Sequence, residues 1–194
     1  FTGIDPLHNE FVNLAAGQRG LAQGCARTVE AYMDCTSNDV CQAINDTATT
    51  DTDGDGHGTH CAGTVAGVNV GASPCASIKS VKVLGDDGSG SYAGILAGYN
   101  AVLDFALSNP TIPVVSSASI GGPTDNWWNQ QFDTVLKSLM DVGVVNVVAA
   151  GNENSDSCNS LPARSSFAVT VAAYTSSGSR SSFSNKGRDC TDMR

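Results

Sequence analysis

The chain has 194 residues, 41% hydrophobic and 15% charged, a balance that suits one globular domain and excludes a disordered tail or a fibre. Its 10 Lys and Arg against 19 Asp and Glu give a formal charge of −9, the wrong sign for gripping a phosphate backbone, so we expect no nucleic-acid partner. The longest apolar runs, such as 144–150, fall far short of the roughly 20 residues of a membrane helix, so we expect no membrane partner.

The chain shows two successive patterns. Residues 12–56 are irregular and polar, and we interpret them as a long surface insertion. From His57 onward, short apolar runs alternate with helical periodicity. This alternation predicts an α/β domain with a mainly parallel central sheet and helices on both faces. The predicted elements are a buried helix beginning at His57, a strand over 78–84, a helix over 92–108, a strand over 113–116, a helix over 130–142, and strands over 144–150 and 168–173.

The chain contains seven cysteines, which are many for a cytosolic protein and favour an oxidising compartment, so we expect secretion. No C-x-x-C pair occurs, which excludes the spacing of a zinc ribbon or a thioredoxin-type site. A disulfide between Cys35 and Cys41 is possible, although spacing does not prove it. Because seven is odd, we expect one unpaired thiol or a partner outside this segment, and Cys61, among small residues, is the candidate.

The segment 53–67 contains two of the three histidines and many small residues. A metal site is disfavoured because His57 and His60 lack the glutamate of H-E-x-x-H. Residues 51–56 satisfy the first half of an EF-hand loop, but Ala62 occupies the twelfth position, where a bidentate glutamate is needed. The third interpretation is a catalytic base, since a histidine can exchange a proton near neutral pH.

The run from His57 to Thr64 closely resembles the histidine motif of subtilisin-like serine proteases, and Cys61 makes it similar to the proteinase K branch. Further segments resemble the family in family order. The resemblance implies a three-layer subtilisin-like fold and a secreted serine endopeptidase that hydrolyses peptide bonds in proteins. The matching segments are 81–92, Ser-Ile-Gly-Gly-Pro at 119–123, 147–153 and Ser-Ser-Phe-Ser-Asn at 181–185.

The resemblance also implies roles for individual residues. His57 is expected to be the general base, with His60 as a structural neighbour, and Asn152 to donate a hydrogen bond to the oxyanion. Two glycine-containing segments are expected to bind a polypeptide substrate as an extended strand, and the protein is expected to be a monomer. These substrate-binding residues are Gly88, Ser89, Gly90, Ser91, Ser119, Ile120, Gly121 and Gly122.

Two parts of the family pattern are missing from this sequence. Phe1 stands where the family's Asp-Thr-Gly-Ile motif has its catalytic aspartate, and the chain ends at Arg194 before the Gly-Thr-Ser-Met-Ala motif of the nucleophile. No Gly-x-Ser-x-Gly motif replaces it. We therefore expect residues 1–194 to be part of a subtilase catalytic domain, incomplete at both ends and inactive alone. The alternative is a degenerate pseudoprotease that binds extended peptides without cleaving them.

Two ligand hypotheses remain. Residues 88–93 satisfy the dinucleotide pattern G-x-G-x-x-[G/A], but the next strand ends without the acidic residue expected to bind the ribose. No cofactor is required by the family, and calcium is possible. Glu10 lies where the family often places a calcium ligand, although residues 68–72 are too few for the loop that completes the site in bacterial relatives. A weak site using the Pro162 carbonyl and Asp192 is the other option.

Overall fold

The computed structural model describes residues 1–20, 24–187 and 190–192, and the chain divides into two compact units, Phe1–Gly98 and Tyr99–Arg194. The α-helices of the described residues are α1 His57–Ala66, α2 Tyr92–Ser108 and α3 Asn126–Asp141, and short 3₁₀-helices lie at Asn9–Phe11, Gln18–Gly20 and Ser157–Asn159. Within the described ranges, none of the helices is long and apolar enough to span a membrane. The strands are β1 Val29–Asp34, β2 Gln42–Ala43, β3 Ile78–Lys82, β4 Val115–Ala118, β5 Gly122–Pro123, β6 Val145–Ala149, β7 Ser160–Leu161 and β8 Val169–Val171.

The first unit contains a three-stranded sheet in the order β2-β1-β3, in which β1 is parallel to β3 and antiparallel to β2. A buried cluster of Ile4, Phe11, Ala31 and Ala62 joins the amino-terminal segment, the sheet and α1. At Gly58, a Cβ atom would lie 2.1 Å from the carbonyl oxygen of Gly3. Only glycine therefore allows the amino-terminal segment to pass this close to α1.

The second unit contains a parallel sheet in the order β4-β6-β8 and a short antiparallel pair, β5 and β7. Helix α3 buries an apolar stripe that includes Phe132 and Leu136. The Asn146 side chain of β6 donates to the Leu136 carbonyl at 3.0 Å, which holds β6 to this helix. Asp125 caps α3 by accepting from the backbone N–H of Trp127 at 2.9 Å.

The helices and strands predicted from His57 onward are present, although several bounds differ; the strand predicted over 113–116, for example, is β4 at Val115–Ala118. The predicted helix over 92–108 is α2, whereas the helix predicted over 130–142 begins earlier, at Asn126, because Asp125 provides its cap. Residues 29–34, predicted as irregular surface chain, form β1. Only Ala31 is buried among these six residues, and their strand partners lie about fifty positions away in β3, so the local pattern gave no signal.

Helix α1 begins at His57 as predicted, but it is buried on one face and not on all sides. Gly58, Ala62, Gly63 and Ala66 are buried, while His57 and His60 are exposed. The small residues permit close approach on the buried face alone. The histidines therefore remain open to solvent.

Three disulfides link the chain. Cys35–Cys41 confirms the possible pairing, and Cys25–Cys75 closes a larger loop in the same unit. Cys158–Cys190 lies in the second unit. Cys61, the predicted odd cysteine, takes part in no disulfide of the described chain and is half-buried.

A buried arginine holds the end of α1. One terminal nitrogen of Arg27 donates to the carbonyls of Ala66 and Pro74, the latter at 2.7 Å. The other donates to the carbonyls of Glu10 at 2.8 Å and Val12 at 3.3 Å. Because Ala66 is the last residue of α1, the positive charge also lies at the negative end of the helix dipole.

Candidate active site

The first three backbone N–H groups of α1 donate hydrogen bonds to three side chains. Such groups at the start of a helix have no acceptor within the helix itself. The N–H of His57 donates to Asp55 at 3.1 Å. The next two N–H groups donate to the Thr2 hydroxyl at 2.9 Å and to Asp53 at 2.7 Å. The acidic run at 51–56, considered above as half of a calcium loop, therefore serves as a helix cap and fixes the backbone of His57.

Asp53 is the centre of this cap. Its carboxylate also accepts from the hydroxyls of Thr2 at 2.5 Å and Thr59 at 2.6 Å, and from the N–H of Gly56 at 3.0 Å. Partial burial raises the pKa of Asp53, but the hydrogen bonds outweigh it and lower that pKa from its ordinary 3.8 to about 2. The folded protein therefore favours the charged carboxylate.

The depressed pKa of Asp53 gives an expected pH dependence of stability. Because the folded-state pKa is below 3.8, the stabilisation is present above pH 4 and is lost as pH falls toward 2. We expect Asp53→Ala to lower the free energy of unfolding by about 2 kcal/mol at pH 6 and to flatten its slope between pH 4 and 2. Urea unfolding across this range measures both effects, with Asp104→Ala, an exposed aspartate of α2, as the control. If the unfolding free energy of Asp53→Ala has the same slope between pH 4 and 2 as that of the wild type, Asp53 is not the group with the lowered pKa.

The imidazole of His57 is exposed and has two described neighbours. Its Nε2 atom lies 3.6 Å from Sγ of Cys61, one turn along α1. The Phe1 ring meets the imidazole edge-on, with centroids 6.0 Å apart. Within residues 1–20, 24–187 and 190–192, no carboxylate forms a hydrogen bond or ion pair with this ring. A phenylalanine ring therefore lies beside His57 at the position that the sequence resemblance assigns to an aspartate.

Residues 88–91, predicted to bind substrate, lie in an exposed loop between β3 and α2. The loop closes on itself through the Gly88 N–H, which donates to the Gly85 carbonyl at 3.0 Å, and Gly88 has a φ of +75°. Asp87 accepts from the N–H and the hydroxyl of Ser89. Since a carboxylate occupies the donors that a phosphate needs, this turn disfavours the dinucleotide hypothesis.

A buried lysine connects this loop to the loop that precedes His57. Nζ of Lys82 donates to the Thr2 carbonyl and, at 2.7 Å, to Asp86. Asp86 also accepts from the backbone of Gly54, and the bond from Lys82 is the main reason that its pKa is lowered. The first unit thus brings the histidine loop and the predicted substrate loop together.

Residues 119–122, the other predicted substrate segment, lie in the second unit. Ile120 is buried, Gly121 is exposed, and Gly122 pairs with Leu161 in the antiparallel β5–β7 ladder. The Ser160 hydroxyl also donates to the Gly122 carbonyl at 3.5 Å. Segment 119–122 is therefore held by the strand that follows the Asn152 loop.

Asn152 lies just beyond the carboxyl end of β6, in the same unit. It is exposed, and its backbone N–H donates to Glu153 at 3.0 Å. Its carboxamide makes no hydrogen bond within the described part of the chain, so both of its N–H donors are available to a ligand. The predicted site residues thus divide into His57 with 88–91 in the first unit and Asn152 with 119–122 in the second.

Sequence reasoning missed two residues that hold these groups. Asp53 organises the start of α1, and Asn185, which is 1% exposed, binds the loop 150–155. Asn185 belongs to the Phe-Ser-Asn resemblance, which assigned it no role. The sequence signal that could have identified it was its place in the Phe-Ser-Asn motif at 183–185.

The residues considered for calcium are engaged with protein donors. Both oxygens of Glu10 accept from Asn69, through the backbone and the side-chain amide at 2.9 Å each, and these bonds lower the pKa of Glu10. The Pro162 carbonyl accepts from Ser165, and Asp192 accepts from the Thr170 N–H at 2.8 Å. Each oxygen of the Glu10 carboxylate thus accepts one hydrogen bond from Asn69.

Comparison with known proteins decides the family. The Peptidase S8 family, described as the subtilase family, matches residues 2–194. The chain is a subtilase. This subtilase is 45% identical over 144 residues to a cuticle-degrading serine protease of Arthrobotrys oligospora, covering 74% of this chain and 34% of the relative. It is 39% identical over 192 residues to alkaline serine exoprotease A of Vibrio alginolyticus, covering 99% of this chain and 30% of the relative.

A solved structure confirms the predicted fold. The crystal structure of a cold-adapted subtilisin-like serine proteinase matches with a TM-score of 0.71 and 35% identity. The match covers 99% of this subtilase and 59% of the solved chain. The α/β subtilisin-like fold and membership of a serine protease family are therefore established. The subtilase spans about a third of the length of the curated relatives it matches.

Proposed function

We propose that this subtilase chain is the portion of a secreted serine endopeptidase that supplies the general base, the oxyanion donor and the substrate-binding segments. The observation that supports it most is the exposed imidazole of His57 at the first residue of α1, where three side chains fix the helix start. The three disulfides support secretion, because such bonds persist in oxidising compartments.

In this proposal, His57 takes the proton from a serine hydroxyl located outside the 194 residues and returns it to the leaving amine. The Asn152 carboxamide donates to the oxygen that becomes negative during attack on the peptide carbonyl. Its exposed position and uncommitted donors suit that role.

The substrate is proposed to be a polypeptide bound as an extended strand. Gly88, Gly90 and Gly121 are exposed, and glycine lets a peptide backbone approach without a side-chain clash. Backbone pairing along 88–91 and 119–122 gives affinity with little demand on the substrate sequence.

The 194-residue chain alone is proposed to be inactive, because Phe1 cannot orient the imidazole and no nucleophile motif is present. A fluorophosphonate probe tests this directly. We expect no labelling of the 194-residue chain, and labelling of the full-length protein that is abolished by prior treatment with a serine-directed inhibitor. Labelling of a serine within residues 1–194 contradicts the proposal.

The second candidate function is a pseudoprotease that binds peptides without cleaving them. The contact of the Phe1 ring with His57 favours it, since a genuine phenylalanine there removes the partner that a base needs. Full-length protein that binds an unfolded polypeptide, retains Phe at this position and gives no probe labelling identifies the pseudoprotease. Labelling of the full-length protein identifies the endopeptidase.

A further inference from the structure

We propose that Asn185 is a positioning residue for Asn152, an inference that rests on the proposed role of Asn152 as oxyanion donor. Asn185 lies 33 positions later in the chain, and its side chain is buried at 1% exposure in the second unit. It touches the residues on both sides of Asn152 but not the carboxamide itself. We call Asn185 and its partner Glu153 the Asn185 clamp.

The hydrogen bonds of the clamp bracket the oxyanion donor. Oδ1 of Asn185 accepts from the N–H of Glu153 at 3.0 Å and of Ser155 at 2.9 Å. Nδ2 donates to the Ala150 carbonyl at 3.0 Å and to the Glu153 carboxylate at 2.6 Å. One buried amide therefore binds the main chain before and after Asn152, with its donors and acceptor satisfied.

Glu153 extends the clamp to Asn152 itself. The same carboxylate oxygen, Oε2, that accepts from Asn185 also accepts from the backbone N–H of Asn152 at 3.0 Å. A continuous path of two hydrogen bonds thus runs from the buried amide to the main chain of the oxyanion donor. Glu153 is exposed, so it can be altered with little effect on the core.

Packing fixes the loop as well. Gly151 has a φ of +101°, and a Cβ atom there would lie 2.3 Å from Nδ2 of Asn185 and 2.7 Å from Oε2 of Glu153. The clamp therefore fills the space beside Gly151, and the loop can shift only if these bonds break. In addition, the Asn185 N–H donates to the Gly151 carbonyl at 2.9 Å.

Loss of the clamp is expected to affect the chemical step more than substrate binding. An oxyanion donor acts on charge that develops in the transition state, and a displacement of about 1 Å weakens it strongly. The substrate segment 119–122 has its own support in the β5–β7 ladder. We therefore expect kcat to fall while KM stays nearly constant.

The experiment uses the full-length protein with Asn185→Ala and Glu153→Ala, each alone and combined with Asn152→Ala. In the wild-type background, we expect kcat to fall about 10- to 100-fold for Asn185→Ala and about 10-fold for Glu153→Ala, with KM within about 2-fold. In the Asn152→Ala background, each change should cost less than about 2-fold, because the donor it positions is absent. Asn159→Ala, an exposed asparagine of the same unit, is the control and should match wild type.

Glu153→Gln separates positioning from charge. Glutamine keeps an oxygen that accepts from Asn152 and Asn185 but removes the negative charge, so positioning predicts nearly wild-type kcat for Glu153→Gln. The inference is overturned if Glu153→Gln lowers kcat as much as Glu153→Ala does. It is also overturned if Asn185→Ala or Glu153→Ala lowers kcat as much in the Asn152→Ala background as in the wild type. If Asn185→Ala does not fold, the Glu153 variants give the same test. The proposed function fails separately if Asn152→Ala leaves kcat unchanged or if the wild-type full-length protein has no peptidase activity.

Discussion

Replacing His57 with alanine in the full-length protein is expected to lower kcat by on the order of 10²-fold, because Phe1 stands where the triad aspartate would be and the histidine contributes only the part of the roughly 10⁶-fold triad effect that does not need that aspartate. The imidazole is exposed, and the backbone N–H groups that start α1 are held by Asp55, Thr2 and Asp53 and not by the imidazole. The substitution should therefore leave the fold intact. Hydrolysis of a chromogenic peptide, with the melting temperature measured in parallel, checks both statements.

His60 provides a matched control for this experiment. It is an exposed histidine on the same helix, and its imidazole makes no hydrogen bond among the residues that the structure describes. His60→Ala should retain activity within about 2-fold, since surface substitutions of this kind change stability by less than about 0.5 kcal/mol. Comparable losses for the two variants would show that the helix, and not the base, had been disturbed.

The largest stability effect is expected at Arg27. Its guanidinium is the donor to carbonyls of Ala66, Pro74, Glu10 and Val12, and the side chain is 9% exposed. Arg27→Met retains the apolar stem but removes the donor to the carbonyls of Ala66, Pro74 and Val12, while the Glu10 carbonyl still accepts from the Val68 N–H, so we expect a loss of about 3 to 5 kcal/mol. For a chain of this length, that corresponds to a fall of roughly 10 °C in the melting temperature. Circular dichroism during thermal unfolding measures it.

Arg19 is the control for Arg27. It is exposed and contacts the same stretch of chain, through one terminal nitrogen that donates to the Gly71 carbonyl at 2.8 Å. Arg19→Met should cost less than about 1 kcal/mol, because water can replace an exposed donor. If Arg27→Met lowers the free energy of unfolding no more than Arg19→Met does, the hydrogen bonds of the buried guanidinium do not stabilise the fold.

Local patterns were sufficient to predict α2 and β6. The spacing of apolar residues over 92–108 predicts α2, and the β-branched run over 144–150 predicts β6, because both elements bury side chains at their own periodicity. The strand at 29–34 escaped prediction because it is defined by backbone bonds to β3 and contains one buried residue. A local pattern carries no information about such a distant partner.

The candidate site likewise combines features that the local sequence predicts with features that only the folded chain reveals. The sequence alone, through motifs that each lie within a few consecutive residues, indicated the protease family, His57 as base, Asn152 as oxyanion donor and the two substrate segments. The tertiary structure alone revealed that Asp53 and Thr2 hold the start of α1, that Lys82 joins two loops, and that Asn185 clamps the Asn152 loop. The physical reason is that a reacting group is recognised by its residue type and neighbours, whereas hydrogen bonds such as that of Thr2 to the start of α1 and those of Asn185 to the Asn152 loop come from residues about 30 to 60 positions away, which only folding brings close.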